Sequence, residues 1–292
     1  MEYLAGTVIL IAIFVILATS YNLIIGYGGL NTVAHPIFFA LGAYTSALLG
    51  IHAGMPMAVC ILAGIAVAVL VSVVLAVTTL RISGDYLLIA SLGFQLGLLQ
   101  LINNLEFTGG PAGLSAIPNT FVGPNRGIIY VVICVIAAAA VVWAIWRTMS
   151  GPFGRAVRAM RDDELACAAL GRSLIAIKIL IFALGCGAAG LAGGLYAYYF
   201  QYISPEQFQV AQSAQILTMV VLGGIGTTLG PIVGALVLVA LPQAINFLHL
   251  PNSLVGTVQG LIFTTLVILF LFLRPGGLVG STGSQSSHGA TH

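Results

Sequence analysis

No aspartate, glutamate, lysine or arginine occurs between Glu2 and Arg81, between Lys178 and Glu206, or between Glu206 and Arg274. Each interval can enter hydrocarbon without burying an ion. The runs are continuous in Ala, Leu, Ile and Val, whereas a membrane barrel needs alternating segments of about ten residues. The chain is 60% hydrophobic and 5% charged, against roughly 25% charged in a soluble domain. It reads as all-α, a polytopic transmembrane helical bundle. The first apolar run, from Tyr3 to Ile25, is long enough to span and lacks the basic leader of a secretory signal, so it is expected to be a retained helix.

Spans of about 17 to 25 residues are predicted near 4–25, 34–51, 57–80, 86–102, 128–147, 176–200, 210–226, 229–248 and 254–273. That count fits a bundle of about 8–10 spans including broken helices. Arg81, the basic stretch 147–178 and Arg274 belong on the cytoplasmic side by the positive-inside rule. Parity then requires the glycine-rich stretch 223–231 to divide two spans, and counting back from Arg81 puts the N-terminus outside unless an early segment is re-entrant.

Residues 147–178, RTMSGPFGRAVRAMRDDELACAALGRSLIAIK, form the one polar island between hydrophobic blocks. Pro152 suits a first helical turn and Gly171 a helix stop, which predicts one helix of roughly four turns. Phe153, Val157 and Met160 share a face of it, and Arg155, Arg158 and Asp162 lie on another. Such a stretch serves either as a basic loop that fixes topology or as a helix that docks into a groove on a soluble partner.

The segment NLIIGYGGLNTVAHPIFFALGAY interrupts the first long apolar run with Gly26, Gly28, Gly29 and Pro36. Broken helices at membrane depth are tolerated where the freed backbone meets protein or a polar cavity, so this is either a translocation element or a tight interhelical turn. His35 there is read as structural or path-lining, without proton chemistry. Residues 103–127 and the stretch QYISPEQF fall outside, and their charges Glu106, Arg126 and Glu206 are candidates for receiving an external partner. Gly190 and Gly194, with Gly226, Gly230 and Gly234, recur at the four-residue interval that lets helices pack closely in lipid. The stretch GGIGTTLG is a packing element, not a dinucleotide fingerprint. Cys60, Cys134, Cys167 and Cys186 have no metal or redox spacing and are read as packing residues, and no metal site is expected.

The net charge of +2 is too small to suggest nucleic acid. There is no GxxxxGK[ST], HExxH or nucleophile elbow, so no catalytic residue is assigned and the chain is not expected to be an enzyme. The acids sit at segment ends or on the island instead of at membrane depth, which favours an external engine over ion coupling.

With these features in place, the sequence resembles the permease subunits of bacterial ABC importers for branched-chain amino acids, and the M-type more than the H-type. The resembling stretches are NLIIGYGGLNTVAHPIFFALGAY, RISGDYLLIASLGF, TGGPAGL, GPFGRAVRAMRDDELACAALG, ISPEQF, MVVLGGIGTTLGPIVGA and RPGGL, in family order over nearly the whole chain. The resemblance implies a type II-like permease fold in a bacterial inner membrane. Its expected partners are a second homologous permease, two cytoplasmic ATPases that bind the ATP, and a periplasmic binding protein delivering Leu, Ile or Val. No cofactor is expected in this chain. Residues 1–275 are then the transmembrane permease domain, with 147–178 as its cytoplasmic coupling loop, and 276–292 a disordered tail.

Carried over by position, the ATPase-coupling helix falls on Gly154, Arg155, Arg158, Arg161, Glu164 and Gly171, with Phe153, Val157 and Met160 expected to fill a groove on one ATPase. The translocation path is expected at Gly26, Gly28, His35 and Tyr44, and binding-protein docking at Glu106, Arg126 and Glu206. Pro36 and Ala168 depart from the family pattern. Urea or short amides are the alternative cargo, and a stand-alone channel or secondary carrier is the alternative class.

Overall fold

A computed structural model describes residues 2–79, 85–119, 121, 123, 125–246, 265 and 278. Among them, ten α-helices succeed one another: α1 (Glu2–Asn22), α2 (His35–Ala53), α3 (Met57–Thr79), α4 (Asp85–Asn104), α5 (Arg126–Ser150), α6 (Pro152–Asp162), α7 (Glu164–Ala169), α8 (Leu174–Phe200), α9 (Val210–Gly223) and α10 (Gly230–Asn246). A π-helical turn, Leu23–Tyr27, prolongs α1. Among the described residues, six helical stretches are long and apolar enough to cross a membrane: Leu4–Tyr27, His35–Ala53, Met57–Val77, Tyr86–Asn104, Arg126–Ser150 and Leu174–Phe200. The shorter apolar helices α9 and α10 follow. Thr265 and Leu278 apart, the predicted span 254–273, Arg81, Arg274 and the tail lie outside the described residues.

The expected division of the late spans is present. α9 stops at Gly223 and α10 begins at Gly230, with Gly224 and Gly226 between them at φ of 121° and 75°, a region that favours glycine. At 14 residues, α9 is about 21 Å long, too short to cross the hydrocarbon alone when perpendicular to it.

Packing centres on α8, which meets α2 and α3 most extensively. The contact is close because glycine faces glycine. A Cβ added to Gly42 would stand 2.5 Å from the Gly190 Cα, and one on Gly194 would stand 2.9 Å from Ser46 Oγ. In lipid, where apolar surface alone gives no association force, this shape fit is what brings helices together. Gly234 does the same for α9 and α10, since a Cβ there would overlap the Met219 backbone. Gly226 does not share that role, because it sits in the connecting loop.

The outer faces of α3, α4 and α5 carry exposed apolar side chains such as Leu70, Ile89 and Trp143. At the ends of α1, α5 and α8 opposite the island, Gly127 approaches Ala5 and Gly6 approaches the Tyr199 hydroxyl. The N-terminus therefore lies on the side away from the island, as the count from Arg81 predicts.

Candidate functional site

The island folds back on the bundle as two helices, not the single one expected. Pro152 occupies the first turn of α6 and Gly171, at φ 76°, follows α7. Between them Asp163 is extended, at φ −155° and ψ 108°, and its carboxylate accepts from Ala166 N at 3.0 Å. That carboxylate caps α7 and so ends α6. Gly154 is required by the turn itself, because a Cβ would overlap the Met149 backbone at the end of α5.

The face of α6 expected to meet an ATPase points the other way. Val157 is 0% exposed and Met160 1%, Ala156 is buried, and Phe153 is half-buried, all packed against the chain's own core. Helical spacing placed these residues on one face correctly, but the transmembrane bundle takes that face. Arg155, Arg158, Arg161 and Asp162 face solvent. On α7, Leu165 is 83% exposed and Leu170, just after it, 81%. These leucines were missed by sequence reading. The available signal was two long apolar residues set in a charged stretch outside any span. α7 is held by an ion pair from α8, with Lys178 Nζ 2.9 Å from Glu164 Oε1.

The four residues assigned to a path do not come together. Gly26 and Gly28 sit in and just after the π-turn: a Cβ on Gly26 would lie 2.6 Å from Gly226 N, and one on Gly28 3.4 Å from the Ile181 side chain. His35 is 1% exposed at the start of α2. Its Nε2 is 2.9 Å from Ser20 Oγ, whose hydroxyl donates to Leu17 O at 3.0 Å. Tyr44 lies farther along α2, 6.0 Å between ring centres from Phe208, which also packs edge-on to Phe39 at 5.1 Å. Pro36 takes the first turn of α2, where its missing N–H costs nothing.

Between the π-turn and α2 the chain has no regular secondary structure, and its freed backbone is met by side chains from other helices. Val33 N donates to Ser91 Oγ of α4 at 3.0 Å, and Val33 O accepts from Ser213 Oγ of α9 at 2.5 Å. Tyr21 donates to Thr32 O at 2.5 Å. The break is thus satisfied by protein, one of the two ways such a break is tolerated.

On the opposite side, Leu114 and Ile203 exchange backbone hydrogen bonds at 2.8 and 3.0 Å, tying the two outer loops together. Glu106 and Glu206 are exposed there. Arg126 is not free like them: its Nη2 donates to Tyr199 O at 3.0 Å and its guanidinium lies 5.7 Å from the centre of the Tyr130 ring. Among the described residues no group of His, Cys, Asp and Glu is placed to hold a metal ion.

Residues 3–268 match the family model described as branched-chain amino acid transport system / permease component. The chain belongs to this permease family. It is 33% identical, over 94% of its length and 69% of the relative's, to the high-affinity branched-chain amino acid transport system permease protein LivM of Salmonella typhimurium, and equally to LivM of Escherichia coli. To the permease LivH of Escherichia coli it is 24% identical, over 91% of both chains. No solved structure matches. The permease is a multi-pass inner-membrane protein.

Proposed function

We propose that the permease is the membrane-spanning subunit of an ATP-driven importer that moves leucine, isoleucine or valine. It works beside a second homologous permease, two cytoplasmic ATPases and a periplasmic binding protein, and the nucleotide belongs to the ATPases. The observation that carries this reading is the α6–α7 pair. It lies outside the spans, one side is sunk into the bundle, and the other exposes Leu165 and Leu170 beside Arg155, Arg158 and Arg172. A topology anchor has no need of two solvated leucines on a capped helix, whereas a docking element does. The greater identity to LivM than to LivH supports pairing with an H-type partner.

The break at Gly26 to Ala34, with the path drawn from Gly26, Gly28, His35 and Tyr44, is where the interior has to open for cargo. A branched side chain needs apolar contact, while its ammonium and carboxylate need dipoles such as broken-helix backbone supplies. Glu106 and Glu206 are the charges offered to the binding protein on the outer face, with Arg126 bracing α5 against α8 beside them. The test is reconstitution in liposomes with candidate ATPases, partner permease and binding protein. Leucine-stimulated ATP hydrolysis with leucine accumulation is expected. Stimulation by urea or a short amide alone would reassign the cargo, and uptake without ATPases would make the chain a carrier.

A further inference from the structure

Three parts of the chain that are remote in sequence meet at one arginine. At the end of the π-turn, the carbonyls of Leu23, Ile24 and Ile25 accept from Gly28, Leu30 and Gly29. The next carbonyl, of Gly26, accepts instead from Arg161 Nη1 of α6 at 2.5 Å. The same nitrogen lies over the α9–α10 loop, 3.3 Å from where a Cβ on Gly226 would be. That loop is itself fixed to α1, because Asn22 Oδ1 accepts from Gly226 N and Asn22 Nδ2 donates to Thr227 O, both at 2.8 Å. Tyr27 and Thr228 add a hydroxyl pair at 3.0 Å.

The glycines of the break make room for this contact. Gly29 is at φ 66°, and a Cβ there would stand 2.8 Å from Arg161 Cγ. A cation at helix-terminal carbonyls is favoured both by hydrogen bonding and by the helix dipole. Arg161 is therefore placed to grip the helix break from the exposed edge of α6, whose other face is sunk into the bundle.

We propose that Arg161 is a positioning residue of the transport cycle: it ties α6 to the Gly26 carbonyl and the Gly226 loop, so that displacement of the docking helices moves the broken element. This rests on the importer reading above. It assigns Arg161 to transmission inside the permease, not to contact with the ATPase. A contact of this kind couples two sites only if it biases both, so its loss lowers coupling while leaving partner binding intact.

The experiment uses the reconstituted complex and reads two quantities, ATPase recovered with the permease and leucine moved per ATP hydrolysed. Arg161→Met keeps the aliphatic stem and removes the donor. It is expected to recover wild-type amounts of ATPase and to move about five- to tenfold less leucine per ATP. Arg161→Lys, whose ammonium still donates, is expected to restore at least about half of that loss. Tyr27→Phe removes one hydroxyl at constant shape and is expected to give a smaller fall in the same ratio, which provides a reading if Arg161→Met does not insert. A wild-type ratio in Arg161→Met, a loss that follows ATPase recovery, or a lysine variant no better than methionine would each overturn the assignment. Failure of the wild-type chain to recover an ATPase would instead overturn the importer reading.

Discussion

Lys178 Nζ sits 2.9 Å from Glu164 Oε1 and 3.1 Å from Oε2, with the lysine side chain 4% exposed and the glutamate 41%. The pair joins α7 to the first turns of α8. Breaking such a pair from the exposed side leaves the buried ammonium without its counter-charge. Glu164→Gln is therefore expected to cost about 1–3 kcal/mol, less than for a fully buried pair because the glutamate is partly solvated. Amide exchange across 164–169 should accelerate, and the double variant Glu164→Gln, Lys178→Met should recover part of the stability. Unchanged exchange in the single variant would show that α7 is held by other contacts.

The capped break offers a second measurement. Ser91 and Ser213 satisfy the N–H and C=O of the same residue, Val33, from two different helices. Removing either hydroxyl leaves a partly buried backbone group without its partner, at up to about 1–3 kcal/mol each. Ser91→Ala and Ser213→Ala are each expected to lower the unfolding midpoint in detergent. The double variant should depart from the sum of the two, because both act on one peptide segment. Strict additivity would mean that the segment does not respond as a unit.

How much of this was legible in the sequence depended on the range of the interaction. The apolar runs were enough to place the six spans that the described residues carry, from Leu4–Tyr27 to Leu174–Phe200, because burying an ion in lipid is costly wherever the chain goes. Pro152 and Gly171 marked where the helical part of the island starts and stops for local steric reasons that survive any tertiary context. The helix boundary at Asp163 left no such mark: in a run of Asp-Asp-Glu it passes for helix surface, and only the backbone shows it capping the next helix. Val157 and Met160 were assigned to one face correctly and to the wrong neighbour, since periodicity fixes which residues share a face but not what covers it. Arg161 and Gly26, 135 positions apart, carry no local signal of their contact at all.

Glycine-to-alanine changes should have opposite signs at two sites. Gly193 of α8 abuts α2, where an added Cβ would overlap Phe39 O and lie 2.6 Å from Ala43 N, atoms that belong to a helix backbone and cannot step aside. Gly193→Ala is expected to destabilise the fold by about 1–3 kcal/mol or more. Gly93 of α4 has nothing within 4 Å of such a Cβ. Gly93→Ala is expected to leave the isolated subunit as stable as before, or more stable by up to about 1 kcal/mol from helix propensity. Both are read from thermal unfolding in detergent, and a large loss in Gly93→Ala would contradict the packing described.

The two faces of the island make the sharpest contrast. Leu165 and Leu170 are 83% and 81% exposed, whereas Val157 and Met160 are 0% and 1% exposed. If an ATPase buries the leucines, each contributes about 1.5–3 kcal/mol to docking. Leu165→Ala and Leu170→Ala should then each weaken ATPase recovery by about tenfold with the permease inserted and folded, since truncating a solvated side chain removes no internal contact. Met160→Asp should behave differently. It drives a carboxylate into the permease's own core, so the unfolding midpoint falls first and any loss of ATPase follows from that. Recovery and thermal stability are measured on the same membranes, with insertion checked by protease protection. Wild-type recovery in the leucine variants, alongside a folded Met160→Asp chain that has lost its ATPase, would return the docking surface to the inward face of α6.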